Sequence, residues 1–250
     1  MVGTFLVRGL LVGLLAGLIA GGFAFAFGEP RVDAAIALEE AAAPEPAAEE
    51  AGHSHGEEAK ISRPVQKAGL FLATGLYGLA VGGVFALVFA GLRGRVGPRS
   101  DGRLALAAVG TAFAAVILVP FVKYPANPPA VGDPETINGR TVLYLVMILV
   151  GLAATAIAVA TARRVTADPW ARWVAAVIVF LVPVVAAWAL LPTVDEVPDG
   201  FPATLLWEFR IASIGTQLVF WAAFGVLFGW ASERAARRTS DVPLSAAAPA

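Results

Sequence analysis

Six stretches of the chain are apolar over lengths that approach or exceed what a bilayer demands, and the polar residues fall almost wholly between them. A helix needs about 20 such residues to cross the hydrocarbon layer. Read from hydropathy, the runs cover about Leu10–Phe27, Gly69–Leu92, Leu104–Val122, Val142–Ala162, Trp173–Leu191 and Ile211–Trp230. The pattern predicts an all-α integral membrane protein with six transmembrane helices, a single polytopic domain over residues 1–250. The first run could pass for a cleaved leader, with Arg8 as its charged start and Ala24-Phe25-Ala26 as a small-x-small site. It is longer than a usual leader core, so it reads as a retained helix.

Small residues recur inside these runs at a helical spacing. Gly9, Gly13, Gly17 and Gly21 fall four apart, as do Gly78 with Gly82 and Gly225 with Gly229. Such spacing lets transmembrane helices approach closely. A weak internal repeat accompanies it: VILVP at 116–120 and VFLVP at 179–183 each lead towards a Pro-rich acidic loop and a further span. Spans three and four then resemble spans five and six in the same sense, a parallel repeat of helix hairpins. Pro183 lies inside its span and predicts a kink.

One stretch between spans is neither apolar nor loose. Lys123 to Tyr144 reads KYPANPPAVGDPETINGRTVLY. Its four prolines oppose a regular helix and stiffen the chain, and Asn138-Gly139 is a turn signal. Lys123 and Arg140 sit at the edges of apolar runs, where long cations reach the interface, and Tyr124 and Tyr144 add aromatic anchors. The expectation is an ordered outer cap.

Composition agrees with the spans: 58% hydrophobic, 15% charged and a mean hydropathy of +0.75 exclude an ordinary soluble domain. The absence of cysteine excludes disulfides and thiolate chemistry. The net charge of −1 conceals an asymmetry between loops. Arg93, Arg95, Arg99 and Arg103 crowd one loop, Arg163, Arg164 and Arg172 another, and Arg234, Arg237 and Arg238 the tail. The intervening loops are acidic or nearly neutral. By the positive-inside rule both termini and the arginine loops face the cytoplasm.

The spans hold almost no ionisable residue, which argues against a proton-coupled pump or an intramembrane protease. There is no phosphate-binding loop and no HExxH, and no nucleophile–base pair marks an enzyme. Nothing points to nucleic acid. Charge gathers instead in the outward segment from Gly28 to Gln66, which carries nine acids against three bases and so concentrates cations. A helix from about Pro30 to Ala43 would set Glu29, Asp33, Ile36 and Glu40 on one face. The AAAPEPAAEE tract that follows is of low complexity, and residues 41–60 are expected to be disordered. His53 and His55 stand there in GHSHGEE, and imidazole beside carboxylate suits nickel, cobalt, copper or zinc.

These residues together resemble the CbtA-type cobalt transporter subunits. The resemblance rests on Gly28-Glu29-Pro30 after the first span, AIALEE at 35–40, the His53-x-His55 pair before ISRPVQ at 61–66, and KYPANPPAVG at 123–132 with Arg140 and Tyr144. It implies a multi-pass inner-membrane protein linked to cobalt supply for cobalamin synthesis, and a small one-span CbtB-type partner bearing histidines. That family is usually described with five spans; six are read here. On this reading no permanent cofactor is held. Co²⁺, with Ni²⁺ as the near alternative, is the cargo. Glu29, Asp33, Glu39, His53 and His55 are the candidate metal ligands, and Lys123, Tyr124, Asn127 and Arg140 shape the mouth of the path. The rival reading is a non-transporting scaffold or gating subunit for a partner pore, which the dry spans favour.

Overall fold

The computed structural model describes residues 2–42, 62–129, 131–166 and 168–240, and its regular elements among these are all helical. Helix α1 (Val2–Phe23) continues through a π-helical turn at Ala24–Gly28 into α2 (Glu29–Ala42), forming one rod. Helix α3 spans Arg63–Leu92. Helix α4 (Asp101–Ala112) runs through a second π-helical turn, Phe113–Leu118, into α5 (Val119–Lys123). A 3₁₀ turn at Pro134–Thr136 leads into α6 (Ile137–Arg164), followed by α7 (Pro169–Leu190) and α8 (Ala203–Ser240). Among the described residues six rods are long and apolar enough to cross a membrane. All six expected spans are present, and most helices run past the apolar runs into polar sequence.

Local chemistry sets the ends. Ser100 accepts from the Arg103 amide at the start of α4, and Asp168 accepts from the Trp170 and Ala171 amides with Pro169 in the first turn of α7. Helix α7 runs on through Pro183. The second π turn has an evident cause. Val119 donates to the Ala114 carbonyl, five residues back. In that register Pro120 would serve Ala115, but it has no N–H. Gly151 of α6 is pressed against this Ala115 carbonyl, so closely that a Cβ would land on it.

The expected glycine contacts are real. Gly9, Gly13 and Gly17 of α1 face the carbonyls of Gly82, Gly78 and Thr74 on α3, and Gly78 and Gly82 reciprocate against Gly13 and Gly9. On the far side of α8, Gly225 meets Val109 and Gly229 meets Gly102 of α4. Helix α1 therefore lies between α3 and α8, and α8 between α1 and α4. The space enclosed by α3 and α8 is filled by rings. Phe85 and Phe89 meet Phe224 and Phe228 edge-on at 5.1–5.4 Å, and Phe5 of α1 closes the stack against Phe89. Helix α6 packs on α7 and on the π turn before α5, and α7, which buries no residue, packs on α6.

The sequence expectation needs one correction in the Lys123–Tyr144 stretch. Asn138-Gly139 makes no turn; it lies in the first turn of α6. The reversal occurs earlier, where Asp133 caps the 3₁₀ turn by accepting from the Glu135 amide at 2.8 Å. The non-helical cap is thus shorter than the stretch, with Lys123 ending α5 and residues 137–144 already helical.

Candidate functional site

Charged side chains collect at the two ends of the bundle. At one end α2 continues beyond the apolar part of its rod and places Glu29 and Asp33, one turn apart, beside the start of α3. Arg63 spans them, meeting Glu29 at 2.6 Å and Asp33 at 2.6 Å, and Lys67 holds the other Asp33 oxygen at 2.7 Å. The same guanidinium donates to Gln66. The expected shared face of Glu29 and Asp33 is therefore present and carries two cations. Glu39 and Glu40 are exposed further along α2. His53, His55 and the tract 43–61 lie outside the described residues. Among the described residues no three His, Asp or Glu side chains come together as a metal-binding group.

The Pro-rich cap lies at this same end, tied to three other helices. Arg140, from α6, reaches Glu196 of the α7–α8 loop at 3.3 Å and donates to the Asp133 carbonyl at 3.3 Å. Glu196 in turn accepts from the Asp133 amide at 3.1 Å. Gly132 takes a φ of +119°, which favours glycine, and a Cβ there would have to displace the Arg140 guanidinium, 2.5 Å away. The Tyr124 hydroxyl donates to the Pro192 carbonyl at 2.8 Å, and burial pushes its pKa up. The Lys123 ammonium sits 5.2 Å from the Trp188 ring centre on α7 and 5.8 Å from that of Tyr124, a cation–π arrangement rather than a free cation at the interface.

One residue of this cap escapes sequence reasoning. Arg210 of α8 donates to the Asn127 side-chain oxygen at 2.8 Å and to the Ala126 carbonyl at 3.3 Å. It fastens the proline segment to the sixth rod. In the sequence it stands at the edge of an apolar run and reads as an interface charge; the neighbouring Glu208 was the available signal. Glu208 meets Arg31 of α2 at 3.4 Å. This end of α8 thereby joins the carboxylate pair to the cap. Lys123, Tyr124, Asn127 and Arg140 each make a contact of this cap, to Trp188, Pro192, Arg210 and Glu196 respectively.

The opposite end is arginine-rich and locked. Asp101, only 6% exposed, pairs with Arg93 at 2.7 Å, which raises the Arg93 pKa further. Glu233 accepts from Ser100 at 2.8 Å and from the Gly102 amide at 3.0 Å, and Arg8 donates to buried Ser232 at 3.0 Å. This end has few free acids and offers a cation little.

Comparison with known proteins adds one finding. A family model described as "Probable cobalt transporter subunit (CbtA)" matches residues 2–233. No curated protein and no solved structure matches. The chain belongs to the CbtA family, a family of probable cobalt transporter subunits, and as such it is a multi-pass membrane protein of the transport class.

Proposed function

We propose that this CbtA-family chain is the membrane subunit of a cobalt uptake transporter, seated in the inner (cytoplasmic) membrane with both termini inside and supplying cobalt for cobalamin synthesis. The observation that carries this reading is the carboxylate pair Glu29 and Asp33, raised beyond the apolar part of the first rod and joined through Arg31 and Glu208 to the helix that anchors the cap. Without metal, two monovalent cations, Arg63 and Lys67, hold the pair. A divalent cation brings the same charge, so exchange leaves the local balance unchanged. His53 and His55, with Glu39, complete the set, because late first-row metals prefer imidazole to carboxylate alone. Captured Co²⁺ then passes to the mouth at Lys123, Tyr124, Asn127 and Arg140. A small one-span, His-containing partner of CbtB type completes the machine. The arginine-rich end faces the cytoplasm, as the positive-inside rule requires.

A second reading has its own support. The spans offer no charged ligand at mid-depth, only groups such as Tyr77, Thr216 and Gln217, and a scaffold that gates a partner's pore needs none. Cobalt accumulation in cells separates the two, measured with and without this chain and with and without the partner. Uptake that persists without this chain sinks the transport reading. Transport by this chain alone in liposomes sinks the scaffold.

A further inference from the structure

The arginine-rich end holds a cavity that the cobalt reading leaves unused. It measures about 380 Å³ between the α3–α4 loop and α8, and Arg93, Arg99 and Arg237 line it together with Asp101 and Glu233. Both acids are already engaged. Asp101 holds Arg93 at 2.7 Å. One oxygen of Glu233 takes the Ser100 hydroxyl and the Gly102 amide, and the other stands 3.8 Å from Arg237. Arg99 forms no ion pair among the described residues.

A second hollow adjoins the first. Val7, Leu11 and Val12 of α1 form an apolar groove of about 590 Å³, with Arg8 in its wall. The Phe5 ring links the two: the Arg8 guanidinium lies 5.4 Å from its centre and the Arg93 guanidinium 5.5 Å. Half-buried Arg8 donates to the Ser232 hydroxyl and forms no ion pair among the described residues. Four guanidiniums thus line the two hollows against two carboxylates, which leaves two positive charges over. A half-buried charge beside an apolar surface is costly unless a counter-charge meets it, and the guanidinium fork fits phosphate oxygens in pairs.

The depth of the site points to the source of that phosphate. Helix α8 carries no charged side chain from Ile211 to Ser232, and Glu233, Arg234 and Arg237 follow at once. Trp230 is 61% exposed, with the Arg234 guanidinium 5.6 Å from its ring, and marks where the helix leaves the hydrocarbon layer. The cavity therefore sits at the level of lipid headgroups, and the groove leads from Arg8 along α1 into the apolar zone. Basic pockets between transmembrane helices at this level suit anionic headgroups. We infer that the two hollows form one site for an anionic phospholipid, with its phosphate among Arg93, Arg99 and Arg237 and an acyl chain in the groove beside Arg8. A soluble phosphate offers the same oxygens but nothing for the groove. The bound lipid ties α1, the α3–α4 loop and α8 together, and the site depends on neither cobalt nor a partner subunit.

The full chain, freed of lipid in neutral detergent, is titrated with phosphatidylglycerol, phosphatidylcholine or glycerol phosphate. Native mass spectrometry counts the adducts, and thermal unfolding follows stability. Phosphatidylglycerol should bind as a single tight adduct and raise the melting temperature, as a ligand of the folded state does. Phosphatidylcholine should bind more weakly, and glycerol phosphate, a headgroup without chains, should not displace the lipid. Arg99→Gln should weaken phosphatidylglycerol binding about 5-fold, the share of one arginine near an anionic lipid. Arg163→Gln, which removes an exposed arginine of the same end that lines neither hollow, should leave binding unchanged. Arg99 holds no partner in the fold, so its replacement does not threaten folding, and unchanged circular dichroism checks this. No loss in Arg99→Gln, or an equal loss in Arg163→Gln, overturns the site, because the attraction would then be that of a diffuse basic surface. Phosphatidylcholine binding as tightly as phosphatidylglycerol overturns it too. Displacement of the lipid by glycerol phosphate would make the ligand a soluble anion and overturn the lipid.

Discussion

Replacing Gly13 by alanine adds one methyl group, and the structure says where it goes. It lands on the Gly78 carbonyl oxygen, with the Gly78 carbonyl carbon 2.9 Å away and the Gly82 Cα 3.0 Å away. All three are backbone atoms of α3, so no change of rotamer relieves them. Ordinary carbon contacts lie at about 3.5–4.0 Å, and the two helices must separate by roughly 1 Å to restore them. Such a gap forfeits a quarter to a half of the dispersion energy along the opened face. Overpacking of this kind costs about 1–3 kcal/mol, and a contact against unyielding backbone belongs at the upper end. Alanine's better helix propensity returns about 1 kcal/mol, which leaves a net loss of about 1–2 kcal/mol. Gly22→Ala is the control on the same helix, because nothing lies within 4 Å of its Cβ. It should be neutral or stabilising. Gly225→Ala should fall between, since it meets the Val109 side chain at 2.9 Å, which can move. Reversible unfolding in mixed detergent micelles, followed by circular dichroism, measures all three. Gly13→Ala within about 0.3 kcal/mol of Gly22→Ala, the scatter of additive measurements, would refute the account of the α1–α3 contact.

Four further outcomes are expected. A reporter fused after Ala250 should be active only in the cytoplasm, and an external signal there would reverse the orientation. Replacing both His53 and His55 by alanine should leave thermal stability nearly unchanged but lower uptake at limiting cobalt. The deficit should be larger at pH 7.5 than at pH 5.5, because protonated imidazole does not ligate and the unaltered protein is already impaired in acid; wild-type accumulation by the double variant would mark the histidines as spacer. Arg63→Met should cost about 1–3 kcal/mol, because Glu29 is largely buried and loses its cation, while leaving Asp33 with Lys67 alone, so that Co²⁺ binds more tightly in calorimetry; unchanged binding would show that the carboxylates take no part. Arg210→Leu leaves the Asn127 and Ala126 oxygens without a donor and should cost about 1–3 kcal/mol, with amide exchange accelerating across 124–133; unchanged exchange there would show that Arg210 does not fasten the cap.

The six rods were legible because a bilayer imposes one length on every apolar run. That α1 packs closely on a neighbour was legible because glycines four apart have few other uses in a membrane helix, but that the neighbour is α3 was not. The cap was foreseen from its prolines, but its fastenings were not. Arg210 and Asn127 are 83 positions apart, and nothing local joins them. Asn138-Gly139 misled because a turn dipeptide carries no veto on a helix already started by Asp133 and Pro134. The outlying position of α7 was hidden for a deeper reason. Lipid is as apolar as a protein interior, so a helix bathed in lipid and one buried in protein read alike. Of the candidate ligands, Glu29 and Asp33 could be placed together from helical spacing, whereas their cations come from α3, across residues that carry no periodic signal.

The arrangement of α1 between α3 and α8 bears on biosynthesis. Of these six rods, the earliest in the chain is completed by the latest: Arg8 finds Ser232, and Phe5 shares its aromatic cluster with Phe228. Until α8 emerges, Asp101 has Arg93 but Glu233 is not yet there to cap α4, and the ring stack lacks half its members. A nascent chain truncated between α3 and α8 holds a glycine-paired hairpin with an open aromatic face. Such a chain is inserted but not assembled, and it is the species that a membrane protease would find first.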